Sequence, residues 1–421
     1  MSTAATTTPA NNYRLQISII GAFFFIFGFI TWTNGTLIPY LKIACDLQEE
    51  WQAYLVTFAF YISYTLMAIP CGMILRKTGM VKGMQLGLAV MALGCLLFIP
   101  AASSRTYSFF LLGLFVIGAG LTILQTAVNP YITILGPANR AAQRISIMGI
   151  CNKLAGMLAP IILGAIILQN SDGLTEELKQ LTGAARDARL DELASKVITP
   201  YSVLAGALLL VSFLLRFASL PEIKTDNTLV AENTNTTQDS VWKHPNLMFG
   251  FAAVFCSVAV EVMAGDTIGR YGQYHGFSLD VAKSLTSYTL FSMIGGYIFG
   301  IVAIPKFISQ ENAFRLFNFI GIVLTLLVLF TPGATSVYCL AALGFANSML
   351  WPAIWPAAMK GLPGKLINIG SAVLIMGIAG GAVMPLLYGI LAGVQGFQTA
   401  YWLMLPCYFF NLYYWWKNMR K

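Results

Sequence analysis

Four residues in this sequence carry charge where their neighbours do not. Glu261, Asp266 and Arg270 fall in VAVEVMAGDTIGRYG, residues 258–272, and Lys153 falls in ISIMGICNKLAGMLAP, residues 145–160. A carboxylate in such a setting can hold a proton, a sodium ion or an ammonium partner, and a lysine can be that partner. Asp266 and Arg270 are four residues apart, on one helix face, and are expected to form a structural or gating pair. Glu261 points about 140° away from Asp266 on the same helix, so the two acids need not share a role.

Neutral polar groups accompany them. Gln125 and Asn129 stand in LTILQTAVNPYITILGP, and Asn152 precedes Lys153. Asn34 follows Trp32, and Asn347 is followed by Trp351 and Trp355 at helical spacing. Amides offer both donors and acceptors, which suits a polyhydroxylated ligand. Indole rings stack on the apolar faces of a sugar and can donate to a hydroxyl. The competing reading of each amide is glue between helices.

The elements that must position these groups follow from composition. Only 10% of the 421 residues are charged, 57% are hydrophobic, and the mean hydropathy is +0.72. A soluble domain carries about 25% charged residues. The chain is therefore a polytopic membrane protein with the bilayer as its solvent. Its net charge of +8 does not call for nucleic acid, because membrane proteins concentrate Lys and Arg on one side. The seven cysteines follow no CxxC pattern and only two histidines occur, so the cysteines read as packing residues, and no metal centre or cofactor is expected. Neither HExxH nor GxSxG appears, so no enzyme is expected. The first apolar run is too long for a cleaved signal peptide.

Twelve spans are expected near 17–41, 53–75, 83–102, 107–135, 145–168, 199–219, 246–272, 284–305, 314–332, 336–359, 367–393 and 397–416. Segments on the side of the termini hold 15 Lys and Arg and those on the other side 7, which places both termini in the cytoplasm. Residues 171–196 read as an amphipathic surface helix. Residues 220–245 read as a cytoplasmic linker, polar and rich in Thr and Asn. The linker separates an N-terminal six-helix bundle, 17–219, from a C-terminal one, 246–416, with short cytoplasmic tails at 1–16 and 417–421. The halves repeat: Gln125 precedes Pro130 by five residues and Asn347 precedes Pro352 by five, while Asn152, Pro160 and Gly164 share their spacing with Gly377, Pro385 and Gly389. Such duplication puts a binding site between the halves near mid-membrane. The fold class is all-α, with twelve transmembrane helices in two pseudo-symmetric bundles.

Depth sharpens the choice among the charged groups. A charge at the bilayer centre costs about 2.5–3.5 kcal/mol on insertion scales. Glu261 lies roughly 22 Å along its span and Asp266 roughly 30 Å, while Lys153 lies roughly 12 Å into its own span from Ile145. Gln125, Asn129, Asn152 and Lys153 share a depth and form a candidate polar wall.

The chain resembles the fucose/glucose/galactose permease family of bacterial sugar:cation symporters, within the major facilitator superfamily, and among them the glucose/galactose permeases. The resemblance covers essentially the whole chain and is carried by FGFITWTNGTLIPYLK (27–42), PCGMILRKTGMVKG (70–83), LTILQTAVNPYITILGP (121–137) and NSMLWPAIWPAAMKGL (347–362). It implies uptake of a hexose across the bacterial inner membrane by rocking of two halves, with Asn34, Gln125, Asn129, Asn152 and Asn347 near the sugar. Fucose-type members carry an acid after the first-helix Asn and another in the fourth helix; here Gly35 and Gln125 stand there, and neither titrates. Coupling to H+ or Na+ therefore falls to Glu261, Asp266 and Lys153, with a sodium site at Glu261 or Asp266 as one form of it. The alternatives are an ion-independent facilitator, a multidrug efflux transporter and a membrane sugar sensor. No obligate protein partner is expected.

Overall fold

In hydrocarbon every backbone N–H and C=O must find a partner within the chain, so long runs of Leu, Ile, Phe, Ala and Gly fold as helices. The computed structural model describes residues 10–134, 141–168, 173–218, 220, 243–304, 306–363 and 366–420. Among them, 11 helices are long and apolar enough to cross a membrane: α1 (Leu15–Ala44), α2 (Leu55–Thr78), α3 (Met80–Ser103), α4 (Tyr107–Asn129), α5 (Ile147–Ile167), α6 (Gly183–Phe217), α7 (Pro245–Asp266), α8 (Leu279–Ala303), α9 (Gln310–Phe330), α10 (Gly333–Met359) and α11 (Ile369–Gln395). The twelfth crossing is divided into a 3₁₀ stretch, Thr399–Leu403, then α12 (Met404–Tyr414), then a π turn, Trp415–Met419. Pro406 lacks the N–H that would continue an α ladder back to Trp402, so the preceding turn tightens.

The surface helix expected over 171–196 is two helices among the described residues, Leu174–Gln180 and Gly183–Ser195, the second being the first part of α6, set off by a turn at 196–197 from the apolar stretch Ile198–Leu214. Leu190 and Leu193 of the second are buried. The linker expected at 220–245 lies, from 221 to 242, outside the described residues.

The two bundles repeat one packing scheme. Helix α1 packs on α5 as α7 packs on α11, and α2 packs on α4 as α8 packs on α10. Between the bundles α5 meets α8, and α2 meets α11, which is the same pairing seen from either half. Glycine allows the closest approaches. A Cβ at Gly28 would overlap the Asn152 carbonyl, and one at Gly380 would overlap the Phe255 carbonyl. These are the α1–α5 and α7–α11 contacts, one in each half.

The first helix of each bundle is interrupted at a threonine. In α1 the helical hydrogen bonding breaks at Thr33, and after α7 it breaks at Thr267 before a short helix, Ile268–Tyr274. Thr33 Oγ1 donates to the Ile30 carbonyl at 2.7 Å, and Thr267 Oγ1 donates to the Met263 carbonyl at 2.6 Å. A hydroxyl bonded back to the preceding turn competes with the ladder and bends the helix. Both breaks come where the halves approach each other.

Candidate functional site

Charged groups from both bundles meet at the seam near these breaks. Lys153 from α5 reaches across to Glu261 of α7, with Nζ 2.6 Å from Oε1. Their side chains are only 9% and 17% exposed, so the two charges depend on each other for solvation. The Lys153 ammonium also lies 4.7 Å from the centre of the Trp32 ring, whose face attracts a cation. Trp32 is wedged between the halves: a Cβ at Gly156 of α5 or at Gly265 of α7 would run into its indole. Its Nε1 is buried with no protein partner, as are both polar atoms of the Asn34 amide.

Asp266 is fully buried nearer the end distal to the termini, where Thr57 of α2 donates to its Oδ2 at 3.1 Å. Its Oδ1 is buried with no protein partner. Asp266 does not pair with Arg270, contrary to the i,i+4 expectation. The helix stops at Asp266 and restarts at Ile268, so the two residues no longer share one continuous face. Arg270 instead crosses the seam to Glu50, at 2.6 Å, and holds Gln273 at 2.6 Å. Lys42 shares the same Glu50 oxygen at 3.0 Å.

Other inter-bundle bonds gather toward the same end. Ser287 donates to the Met157 carbonyl at 2.7 Å, and Lys283 donates to the Leu168 carbonyl at 3.0 Å. Thr65 of α2 donates to the Met376 carbonyl of α11 at 3.1 Å, closer to the middle. The bundles are thus joined at their distal ends in this structure.

The amides divide. Gln125 is half-buried and donates to the Tyr64 hydroxyl at 3.3 Å, and Asn129 is exposed. Asn152 donates to the Phe24 carbonyl of α1 at 3.3 Å and is half-buried. Asn347 is different: its Nδ2 donates to the Val260 carbonyl at 3.1 Å, and its Oδ1 accepts from the Tyr408 hydroxyl at 2.7 Å. It ties α10 to α7 and α12, with both ends of its amide taken. Trp351 and Trp355 are half-buried, with ring centres 5.3 Å apart.

Sequence reasoning passed over Glu50, Lys42 and Thr57. Glu50 sits in the polar stretch DLQEEWQ, where an acid costs nothing and attracts no notice. The signal that could have found it is Arg270, a base at a span end that the Thr267 break turns away from its own helix.

Two repeated helical bundles with charged groups held in the seam between them define a transporter rather than an enzyme. The chain belongs to the Major Facilitator Superfamily, whose family model matches residues 20–379. It is 32% identical over 412 residues to a glucose/galactose transporter of Brucella abortus biovar 1 (strain 9-941), covering 97% of this chain and 95% of that one. It is 26% identical to the L-fucose-proton symporter of Escherichia coli (strain K12), covering 92% and 89%. Among solved structures it is similar to the superfamily transporter FucP in the outward conformation, with a TM-score of 0.73, 26% identity, and coverage of 96% and 98%.

Proposed function

We propose that this protein takes up a hexose of the glucose/galactose type by alternating access of the halves 17–219 and 246–416, coupled to a proton. The Lys153–Glu261 pair across the seam carries this reading. When Glu261 is ionised it binds Lys153 and favours the arrangement in which α5 and α7 meet. When Glu261 binds a proton the attraction is lost, and the equilibrium shifts toward separation of the distal ends. A proton is favoured over sodium because the resident partner of Glu261 is itself a cation, which repels a metal ion but not a neutralised carboxyl. The relatives named glucose/galactose transporter and L-fucose-proton symporter support the hexose and the proton.

In this reading the sugar meets Gln125, Asn129, Asn152, Trp351 and Trp355, with Asn34 and the Trp32 N–H completing the site once the distal ends part. Asn347 holds the site's wall rather than the sugar. Asp266 is the second coupling acid, reached when Thr57 withdraws. The excess of Lys and Arg on the side of the termini supports an inner-membrane protein with both termini in the cytoplasm.

The test is uptake in proteoliposomes with pH and sodium gradients imposed separately, plus counterflow with no gradient. The proposal expects accumulation of glucose or galactose under the pH gradient alone. Accumulation under sodium alone overturns the proton, counterflow without accumulation under either gradient makes the protein a facilitator, and absence of hexose counterflow removes the sugar.

A further inference from the structure

At the end of the molecule that carries the termini, α9 and the π turn after α12 enclose a groove of about 430 Å³, lined by Arg315, Leu316, Phe319, Leu412, Trp415 and Trp416. We propose that this groove binds an anionic phospholipid, with the headgroup phosphate at Arg315 and an acyl chain along Leu316, Phe319 and Leu412.

Three observations carry the assignment. First, the groove faces away from the seam: Phe319 is 59% exposed and Trp416 57%, on helices that otherwise pack within their own bundle. In a membrane-spanning chain that surface meets lipid. Second, Arg315 forms no ion pair among the described residues, not even with Glu311 one turn earlier on α9. Its guanidinium is held instead 4.9 Å from the centre of the Trp415 ring. A stacked guanidinium keeps its N–H fork free, which is the geometry that receives a phosphate. Third, the Trp415 Nε1 is buried with no protein partner. A lipid phosphate or ester oxygen satisfies that donor, and no neighbouring side chain does. Lys417 and Arg420 on the same chain end add positive charge, and each basic residue near an anionic surface contributes to attraction. A single-turn π segment at the site gives Trp415 its placement, and such bulges recur where a helix serves a ligand.

The inference is independent of the cargo. The full-length protein in detergent is incubated with phosphatidylglycerol, phosphatidylcholine or glycerol phosphate, and retained lipid is counted by native mass spectrometry alongside the thermal midpoint. Phosphatidylglycerol is expected to be retained and to raise the midpoint, with little effect of the other two. Arg315→Gln is expected to lower retention about fivefold, the effect of one basic group. Trp415→Phe, which keeps the ring and removes the N–H, is expected to lower it as well. Lys306→Gln, whose ammonium lies over Phe307 and which does not line the groove, is expected to retain lipid as the parent does. Equal retention by Arg315→Gln and the parent overturns the site. Equal retention of phosphatidylcholine overturns the anionic headgroup, and a midpoint shift with glycerol phosphate alone makes the site one for free phosphate.

Discussion

Lys153 and Glu261 belong to different halves of the molecule, yet their charged atoms lie 2.6 Å apart with little exposure to solvent. Removing one partner of such a pair strands the other, which costs up to about 3 kcal/mol at this partial burial. Lys153→Met and Glu261→Gln are each expected to lower the thermal midpoint of the closed protein, and the double variant to recover most of the loss. A double variant no more stable than either single one would show that the pair is not the source.

Glu261→Gln has a second expected outcome under the proposed function. It keeps sugar counterflow and loses accumulation driven by a pH gradient, because an amide neither pairs with Lys153 nor exchanges a proton. Parallel measurements of counterflow and gradient-driven uptake check this; unchanged accumulation removes Glu261 from coupling.

The indole of Trp32 occupies the space that a side chain at Gly156 or Gly265 would need. Gly265→Ala and Gly156→Ala are therefore expected to destabilise the closed arrangement by about 1–3 kcal/mol, the usual cost of overpacking. Distances between spin labels at the distal ends of α1 and α8 should lengthen in both variants. Trp32→Ala added to Gly265→Ala should restore the shorter distance.

Glu50 receives Arg270 from the other half and Lys42 from its own. Glu50→Gln should open the distal ends and raise labelling of cysteines placed in the seam near Ala282. Reversing both charges, Glu50→Arg with Arg270→Glu, should bring labelling back part of the way, limited by Lys42, which then faces a like charge.

Acid should act on the distal surface through Asp46. Its carboxylate takes both ends of the Arg186 guanidinium, at 2.7 and 2.8 Å, and this bonding holds its pKa below the usual carboxylate range. The folded value lies under the unfolded one, so the tie contributes fully above the unfolded value of about 3.9 and fades as pH falls through the lower folded value. Amide exchange in the helix Gly183–Ser195, corrected for its intrinsic pH dependence, should be steady from pH 7 to pH 5. Protection should drop only in stronger acid, and in Asp46→Asn it should already be low at pH 7.

The crossing helices were legible because hydrocarbon imposes one rule on every backbone, and Glu261 and Lys153 were legible because charge in such a helix is costly. Their meeting was not, since no local spacing links residues 108 positions apart. The Asp266–Arg270 pair failed for a local reason: Thr267 is an unremarkable residue for a membrane helix, and its hydroxyl breaks the ladder only where neighbouring helices accommodate the bend. Asn347 has its amide bonded at both ends, to the Val260 carbonyl and to the Tyr408 hydroxyl of α12, partners that no spacing in the sequence reveals.

The threonine interruptions at Thr33 and Thr267 make each opening helix a shaft with a jointed tip. The tip beyond Thr33, Asn34–Ala44, holds 11 residues, a lever of about 16 Å. A tilt of about 10° at that joint carries its far end about 3 Å, comparable to one hydrogen-bond length. The Glu50–Arg270 ion pair can therefore be broken and remade by the tip that carries Arg270, while Glu261, on the shaft of α7, and Lys153, on α5, respond only when the whole bundles turn.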